Sequence, residues 1–224
     1  MSQLAFYFDQ TRCMACNACT VACKDWNQIN PGPVAWRKQF TYEWNFGEGL
    51  SFFPFSNSCN HCDTPACLGA CPYQAIVKDE NNGVVMVDRA KCQGLKACIT
   101  ACPFAKPMIA ENKQEPTPVQ GWQIRHPMQK CTLCSTDKLE NGLKPTCVLA
   151  CVGRALDVDT VEEIQATYGS DPDFVRLNPN DFPYLYINNQ NDTKPNLFIR
   201  KMKKTGGGMG GLKVHKSSDY TGKY

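Results

Sequence analysis

The most informative stretch of this chain reads Cys13-Met-Ala-Cys16-Asn-Ala-Cys19-Thr-Val-Ala-Cys23. It holds four cysteines in eleven residues, at the spacing C-x2-C-x2-C-x3-C. A loop of this kind wraps one corner of an iron–sulfur cube, and its backbone N–H groups turn toward the sulfides of the cluster. The fourth cysteine of such a run ligates a neighbouring cluster, and we expect it to lie at the start of a helix. The stretch therefore predicts iron–sulfur chemistry and a second run that cooperates with it.

Three further runs continue the pattern, and together the four runs use all 15 cysteines. They read Cys59-x2-Cys62-x4-Cys67-x3-Cys71, Cys92-x5-Cys98-x3-Cys102 and Cys131-x2-Cys134-x12-Cys147-x3-Cys151. Pro72 and Pro103 follow the last cysteines of the second and third runs, where they restrict the backbone and donate no hydrogen bond. One such run is moderately specific, whereas four in one chain strongly indicate electron transfer through iron–sulfur clusters.

The third run lacks one cysteine. Leu95 stands where the spacing calls for a ligand, and leucine offers no lone pair to iron. We expect a [3Fe-4S] cluster there. The alternatives are a [4Fe-4S] cluster with water or another residue at the open iron, and no cluster at all. The last alternative is disfavoured because Cys71, Cys92 and Cys98 are all kept in register.

The order of the runs suggests a nested pairing. If the second and third runs pair across the short connection 73–91, the first and fourth pair around that insertion. Three sites would then hold [4Fe-4S] clusters: site A on Cys13, Cys16, Cys19 and Cys151, site B on Cys23, Cys131, Cys134 and Cys147, and site C on Cys59, Cys62, Cys67 and Cys102. Site D would have Cys71, Cys92 and Cys98, with Leu95 at the vacant ligand position.

Two other uses of cysteine are disfavoured. A disulfide framework fits poorly with an odd cysteine count, metal-like spacing and no signal peptide before Phe6–Asp9. Structural zinc sites use two cysteine pairs that lie far apart, and the first run is too tight for that. His61 lies beside Cys62, and we expect it to be a partly exposed neighbour of a cluster rather than a ligand.

Composition narrows the class of protein. The chain has 224 residues, 42 % of them hydrophobic and 20 % charged, which is ordinary for a globular protein. A net charge of +3 does not favour nucleic acid, and no apolar run is long enough to span a bilayer. The N-terminus carries neither a twin arginine nor a charged region, so we expect no signal peptide and no transmembrane helix of its own. We expect a location on the cytoplasmic or periplasmic side of the membrane, within a complex.

Around the cysteine runs the sequence predicts short elements. We expect strands at 4–9 and 155–159, helices at 18–26 and 160–168, and a hairpin or interface loop over 36–55 with a turn at 46–49. We also expect a hairpin of 75–78 with 84–88, an irregular connection at 108–129, a last strand at 197–201 and a tail over 204–224 that is extended or wraps over a partner. Thr160 is a candidate N-cap, and Glu163 would complete a capping box. No hydrolytic or nucleotide-binding motif is present.

The four runs and the residues around them resemble the iron–sulfur (beta, electron-transfer) subunit of the DMSO reductase family of molybdenum/tungsten enzymes. The resemblance covers roughly residues 4–160 and is weak in the C-terminal fifth. It rests on Phe6-Tyr-Phe-Asp9, Cys23-Lys-Asp-Trp26, Ser58-Cys-Asn-His-Cys62, Lys130-Cys-Thr-Leu-Cys134, Lys144-Pro-Thr-Cys147 and Cys151-Val-Gly-Arg-Ala155. Leu95 departs from the family, which has cysteine or, in nitrate-reductase-like members, tryptophan at this position.

The resemblance implies an α+β fold of two nested bacterial-ferredoxin-like modules, with four clusters in a line and the pairing given above. Residues 1–56 plus 108–160 would hold clusters A and B, residues 57–107 would hold C and D, and 161–224 would form a C-terminal extension that contacts a partner. It implies a non-catalytic subunit of an oxidoreductase complex. This subunit would relay electrons between a large molybdopterin or tungstopterin subunit, nearest cluster A, and a membrane quinone-binding subunit or soluble carrier. The alternative is a stand-alone polyferredoxin, or the electron-transfer partner of a hydrogenase or formate dehydrogenase.

Overall fold

The computed structural model describes residues 2–45, 50–115, 119–182, 185–187, 193–202 and 213–216. Short helices and short strands alternate through this part of the chain, which gives the α+β class expected from the sequence. In chain order the elements are β1 (Leu4–Asp9), α1 (Ala18–Trp26), β2 (Lys38–Asn45), β3 (Leu50–Asn57), α2 (Ala66–Gly69), β4 (Ile76–Lys78), β5 (Val85–Val87), α3 (Ala97–Ala101), a 3-10 turn (Leu139–Asn141), α4 (Thr146–Leu149), β6 (Leu156–Thr160), α5 (Val161–Tyr168), β7 (Phe174–Arg176), β8 (Leu197–Arg200) and β9 (Lys213–Lys216).

The largest sheet has the strand order β6-β1-β8-β7. Its strand β1 is buried on both faces, because Phe6 and Phe8 enter the main core while Tyr7 stacks on Tyr168 of α5. A strand that buries both faces belongs in the interior of a sheet. Accordingly, β1 pairs antiparallel with β6 and parallel with β8.

Strand β8 makes the C-terminal region part of this core. Leu197, Phe198 and Ile199 are all buried, and β8 lies between β1 and β7. The stretch expected to be a C-terminal extension therefore supplies an interior strand.

Strands β2 and β3 form the predicted hairpin, and its predicted turn at 46–49 lies outside the described residues. Tyr42 and Phe55 bury one side of the hairpin in the main core. Strand β9 adds to the hairpin by pairing antiparallel with β2. The expectation that 197–201 is the last strand, followed only by an extended tail, is therefore wrong for residues 213–216.

The smaller predicted elements are also present. Strands β4 and β5 form the second predicted hairpin, with Ile76 opposite Val87. The described residues of 108–129 contain no helix or strand and make one isolated bridge, between Met108 and Gln129, so the irregular connection is confirmed.

The N-cap of α5 is confirmed, but the capping box is not. The Glu163 N–H donates to Thr160 Oγ1 over 3.2 Å. The Thr160 N–H donates to Asp159 Oδ1 over 2.8 Å, so Asp159 takes the part predicted for the Glu163 side chain. The aspartate directly before the cap reaches this N–H by fixing fewer rotatable side-chain bonds than a glutamate one turn away would. It therefore loses less conformational entropy.

Candidate metal centres

Each run places the cysteine at its third ligand position, with Leu95 counted as the second position of the third run, at the second residue of a short helix. These residues are Cys19 in α1, Cys67 in α2, Cys98 in α3 and Cys147 in α4. The cysteine at the fourth ligand position follows one helical turn later, within α1 or just after the other three helices. The expectation that the fourth cysteine starts a helix is therefore wrong, and the third cysteine does so instead. The helices pack in pairs, α1 against α4 and α2 against α3.

The loops before these helices share a backbone feature. The residue two positions after the first cysteine has a positive φ in every run: Ala15 (57°), His61 (42°), Gly94 (74°) and Leu133 (60°). Such left-handed residues turn successive N–H groups toward one side and form an anion-binding concavity. The loop with Leu95 keeps this geometry in full, since Lys96 (φ 64°) repeats Asn17 (φ 62°) of the first run.

The four runs surround four cavities, and all 15 cysteines line them. Their volumes, counting space open to solvent, are about 350 Å³ at site A, 300 Å³ at B, 370 Å³ at C and 350 Å³ at D. The cysteines that line each cavity are Cys13, Cys16, Cys19 and Cys151; Cys23, Cys131, Cys134 and Cys147; Cys59, Cys62, Cys67 and Cys102; and Cys71, Cys92 and Cys98 beside Leu95. Each cavity brings together one of the sets expected from the sequence.

The cysteines stand around these spaces and do not converge on a point. Among the described residues, no group of three or more His, Cys, Asp or Glu side chains is close enough to hold a single metal ion. A polynuclear cluster is several atoms across, so its ligands surround a volume instead. The donor set, sulfur throughout, is the one that iron–sulfur clusters use.

Hydrogen bonds already reach several of these sulfurs. Backbone N–H groups donate to Cys131 Sγ (3.3 Å), Cys151 Sγ (3.2 Å) and Cys92 Sγ (3.4 Å). The Ser56 hydroxyl lies 3.3 Å from Cys19 Sγ. Donors of this kind favour thiolates over neutral thiols, as metal ligation requires.

Burial works against free thiolates in the same cavities. It raises the pKa of Cys13 and Cys98 to about 11. Burial, together with neighbouring cysteines, raises the pKa of Cys62 and Cys131 to about 12. Thiolates in these positions therefore need a positive charge within the cavity, which an iron centre supplies.

Three buried cations face sites B and C. Arg37, Lys106 and Lys130 are 2 %, 6 % and 1 % exposed. Arg37 lines the cavity at B, and both lysines line the cavity at C. None of the three forms an ion pair with a carboxylate of the described residues, and an uncompensated buried charge costs several kcal/mol. An anionic cluster held by thiolates in these cavities would offset that cost, so the residues present fit such a group.

His61 is buried, contrary to the expectation of partial exposure. It is 1 % exposed, its Nδ1 accepts from the Val85 N–H over 3.0 Å, and burial lowers its pKa well below the usual range. The ring is therefore neutral and packs behind the second run. His61 does not line any of the four cavities.

The C-terminal region also reaches site C. Thr193 lines this cavity with a buried hydroxyl, and its proximity to Cys62 lowers the pKa that burial raises. Asp63, next to Cys62, is held by Arg176 (2.9 Å) and Asn196 (2.9 Å).

The cysteine pattern did not identify Arg37, Lys106 or Thr193, and it included Lys130 only as part of a motif. Lys106 and Lys130 lie close to cysteine runs, so a search for basic residues flanking the runs would have found them. Arg37 and Thr193 carry no such signal.

No helix among the described residues combines the length and apolar character that crossing a membrane demands.

The chain is similar to known iron–sulfur proteins. The model of a 4Fe-4S dicluster domain matches residues 50–161. The chain is 33 % identical to the B subunit of the anaerobic dimethyl sulfoxide reductase of Haemophilus influenzae, over 94 % of this chain and 98 % of that protein. It is 34 % identical to the protein of the same name from Escherichia coli, over 89 % of each. It is 33 % identical to the thiosulfate reductase electron transfer subunit PhsB of Salmonella typhi, over 72 % of this chain and 78 % of that protein. The chain therefore belongs to the iron–sulfur, electron-transfer beta subunits of the DMSO reductase family.

Proposed function

We propose that this chain relays electrons through four iron–sulfur clusters, three [4Fe-4S] at sites A to C and one [3Fe-4S] at site D. The observation that carries the proposal is the distribution of all 15 cysteines over four cavities, with one predicted set at each. A bound cluster supplies one-electron redox chemistry in which no bond to substrate is made or broken. The chain's own residues hold the sulfur ligands and exclude water from the inner sites.

The proposed modules are residues 1–56 plus 108–160 for sites A and B, and residues 57–107 for sites C and D. The packing of α1 on α4 and of α2 on α3 supports this nested arrangement. The pairing of β1 with β6 supports it as well, because it joins the two ends of the outer module. Residues 161–224 follow as a C-terminal extension whose proposed role includes contact with a partner.

The [3Fe-4S] assignment at site D rests on its ligand count. Cys71, Cys92 and Cys98 line the cavity, and Leu95 occupies the fourth position with 57 % of its surface exposed. The positive-φ backbone of this loop matches the loop of site A, which supports a cluster over an empty site.

The proposed partners are a large molybdopterin or tungstopterin catalytic subunit and a quinone-linked membrane subunit or soluble carrier. The names of the relatives support a catalytic partner, since they describe single components of reductases. Exposed apolar side chains at both ends of the series of sites are consistent with protein contacts. They are Met14 and Val152 beside site A, and Tyr73 and Leu95 beside site D.

Iron quantification with electron paramagnetic resonance on anaerobically purified protein tests the proposal. We expect about 15 iron atoms per chain and a [3Fe-4S] signal in the oxidised protein. About 12 iron atoms would contradict a cluster at site D, and about 16 would contradict its [3Fe-4S] type. A colourless protein containing zinc would overturn the function altogether.

Copurification tests the partners. We expect the chain to copurify with a large molybdenum- or tungsten-containing subunit. Isolation as a stable, redox-active monomer would favour the stand-alone polyferredoxin, and isolation with a hydrogenase subunit would favour a hydrogenase partner.

A further inference from the structure

We propose that Arg37, Lys106 and Lys130 raise the reduction potentials of the clusters at sites B and C, so that these interior sites accept electrons despite their burial. The proposal rests on the proposed function, because it assumes clusters at those sites. It assigns a redox role to three side chains outside the ligand set.

Arg37 lies between sites A and B. Its guanidinium donates to Ser56 Oγ (3.1 Å) and Ser58 Oγ (2.9 Å), and it stacks 4.5 Å from the centroid of the Phe6 ring. Ser56 Oγ is also 3.3 Å from Cys19 Sγ, a ligand position of site A. The same side chain lines the cavity at site B but not the cavity at site A, so its buried charge faces site B directly and reaches site A only through Ser56.

Lys130 lies between sites B and C. It precedes Cys131 of site B, its ammonium donates to the Cys131 carbonyl over 3.0 Å, and its side chain lines the cavity at site C. A second donation, to the Val85 carbonyl, fixes the ammonium in this position.

Lys106 lines the cavity at site C from the side of the β2–β3 hairpin. Its ammonium lies 5.7 Å from the centroid of the Phe40 ring. No side-chain carboxylate of the described residues pairs with it, and Cys102 and Cys59 are the nearby groups that can carry negative charge. Its charge is therefore directed at the contents of the cavity.

Sites A and D differ from sites B and C in the exposure of the basic side chains that line their cavities. The basic side chains that line their cavities are Arg12 and Lys96, and both are exposed. Water and salt screen an exposed charge, whereas a buried charge acts through a lower effective dielectric. Among the four cavities, buried basic side chains therefore line only those of the two interior sites.

The direction of the effect follows from electrostatics. Reduction adds one electron, received from a neighbouring site, to a group that is already negative, and no bond is made or broken. Burial disfavours the more highly charged reduced form and lowers the potential. A fixed buried cation stabilises the reduced form more than the oxidised form and opposes that penalty. Without these cations, burial would act unopposed and lower the potentials of sites B and C.

A redox titration of the anaerobically purified complex, monitored by electron paramagnetic resonance, tests the proposal. Lys106→Met removes the charge with little change in volume. We expect it to lower the equilibrium constant for reduction of the site C cluster by about tenfold or more. For one electron, a tenfold change corresponds to a shift of ~59 mV to lower potential. Lys106→Arg keeps the charge and should leave the potential near that of the wild type. Lys113→Met, the matched control at an exposed lysine that lines none of the four cavities, should shift no couple.

Arg37→Gln provides a second, independent measurement and should lower the potential of the site B couple. Unchanged potentials in Lys106→Met and Arg37→Gln, with full iron content, would overturn the proposal and leave the electron-transfer function intact. Loss of site C iron in both Lys106→Met and Lys106→Arg would mean that Lys106 acts in packing, and this result would also overturn the proposal. Absence of iron from the wild-type protein would instead overturn the proposed function.

Discussion

Sites C and D form an instructive pair because they draw on the same elements. Helices α2 and α3 pack together, and Cys67 of site C and Cys92 of site D share one small apolar core with Ile76 and Val85 of the β4–β5 hairpin. Site C has four cysteines and two buried lysines, whereas site D has three cysteines and the exposed Leu95. One loop geometry thus supports a closed, charge-compensated site and an open one.

The two sites also differ in what holds their loops. At site C, the Asp63 N–H donates to the Lys194 carbonyl (3.0 Å) and the Asp63 carboxylate binds Arg176, so the β7–β8 region fastens the loop. At site D, the Met128 N–H donates to Cys92 Sγ (3.4 Å) from the irregular connection 108–129. A loop anchored on a sheet opens less readily than one anchored on irregular structure, so we expect site C to be the more rigid.

Removing one cysteine ligand at each site should give the largest difference between sites C and D, in both iron content and stability. Cys67→Ser should lose about 4 iron atoms, and Cys98→Ser about 3. Cys67→Ser should also destabilise the protein by several kcal/mol more, because it leaves Lys106 and Lys130 buried without an anion. Iron analysis and guanidinium unfolding followed by circular dichroism measure both effects. Equal destabilisation by the two substitutions would contradict the difference in charge compensation.

Leu95→Cys should convert site D into a counterpart of site C. The new thiol completes the ligand set, so we expect iron to rise from about 15 to about 16 atoms per chain and the [3Fe-4S] signal to disappear. Leu95 is 57 % exposed, so the substitution should change the free energy of unfolding by less than about 0.5 kcal/mol. Leu95→Ala is the matched control and should keep the [3Fe-4S] signal; its loss in that variant would mean that leucine itself determines the cluster type.

The anchoring of the two loops can be compared through two aspartates. Asp63→Asn should cost about 1 kcal/mol, because it weakens a partly exposed ion pair with Arg176 that Asn196 supports. Asp88→Asn near site D loses only an exposed pair with Lys91 at 3.5 Å and should cost almost nothing. Guanidinium unfolding of the holoprotein measures both changes. If Arg176→Gln adds its full cost on top of Asp63→Asn, the two residues are not coupled and the anchor is wrongly identified.

Two glycines should change the free energy of unfolding by small amounts of opposite sign. Gly94→Ala at site D introduces a side chain at φ +74°, 2.8 Å from the end of the Ile124 side chain, and should destabilise by about 1 kcal/mol. Gly69→Ala in α2 beside site C meets no atom within 4 Å and should stabilise by about 0.5 to 1 kcal/mol. Thermal or guanidinium unfolding of both variants measures the sign of the change in the free energy of unfolding. The same sign for both variants would contradict the difference expected between the two glycines.

Much of the local structure was predictable because it depends on neighbours in sequence. Helix α1 begins and ends where the sequence predicted, and both hairpins are present, since apolar alternation and turn residues act over a few positions. The capping of α5 was only half predictable, because Asp159 and Glu163 compete for the same N–H. The burial of His61 was not predictable, because it depends on β5, whose Val85 lies 24 residues away.

The spacing within each cysteine run predicts which of its members face a common centre, because the reach of a short loop is set by backbone geometry. It also marks Leu95 as the one open position. Tertiary structure decides the surroundings of each centre. It brings Arg37 to site B, Thr193 to site C and β8 beside β1, across separations that no local pattern encodes. Those long-range contacts form because they bury apolar strands and compensate buried charge, and they make four similar cysteine loops into four different electrostatic environments.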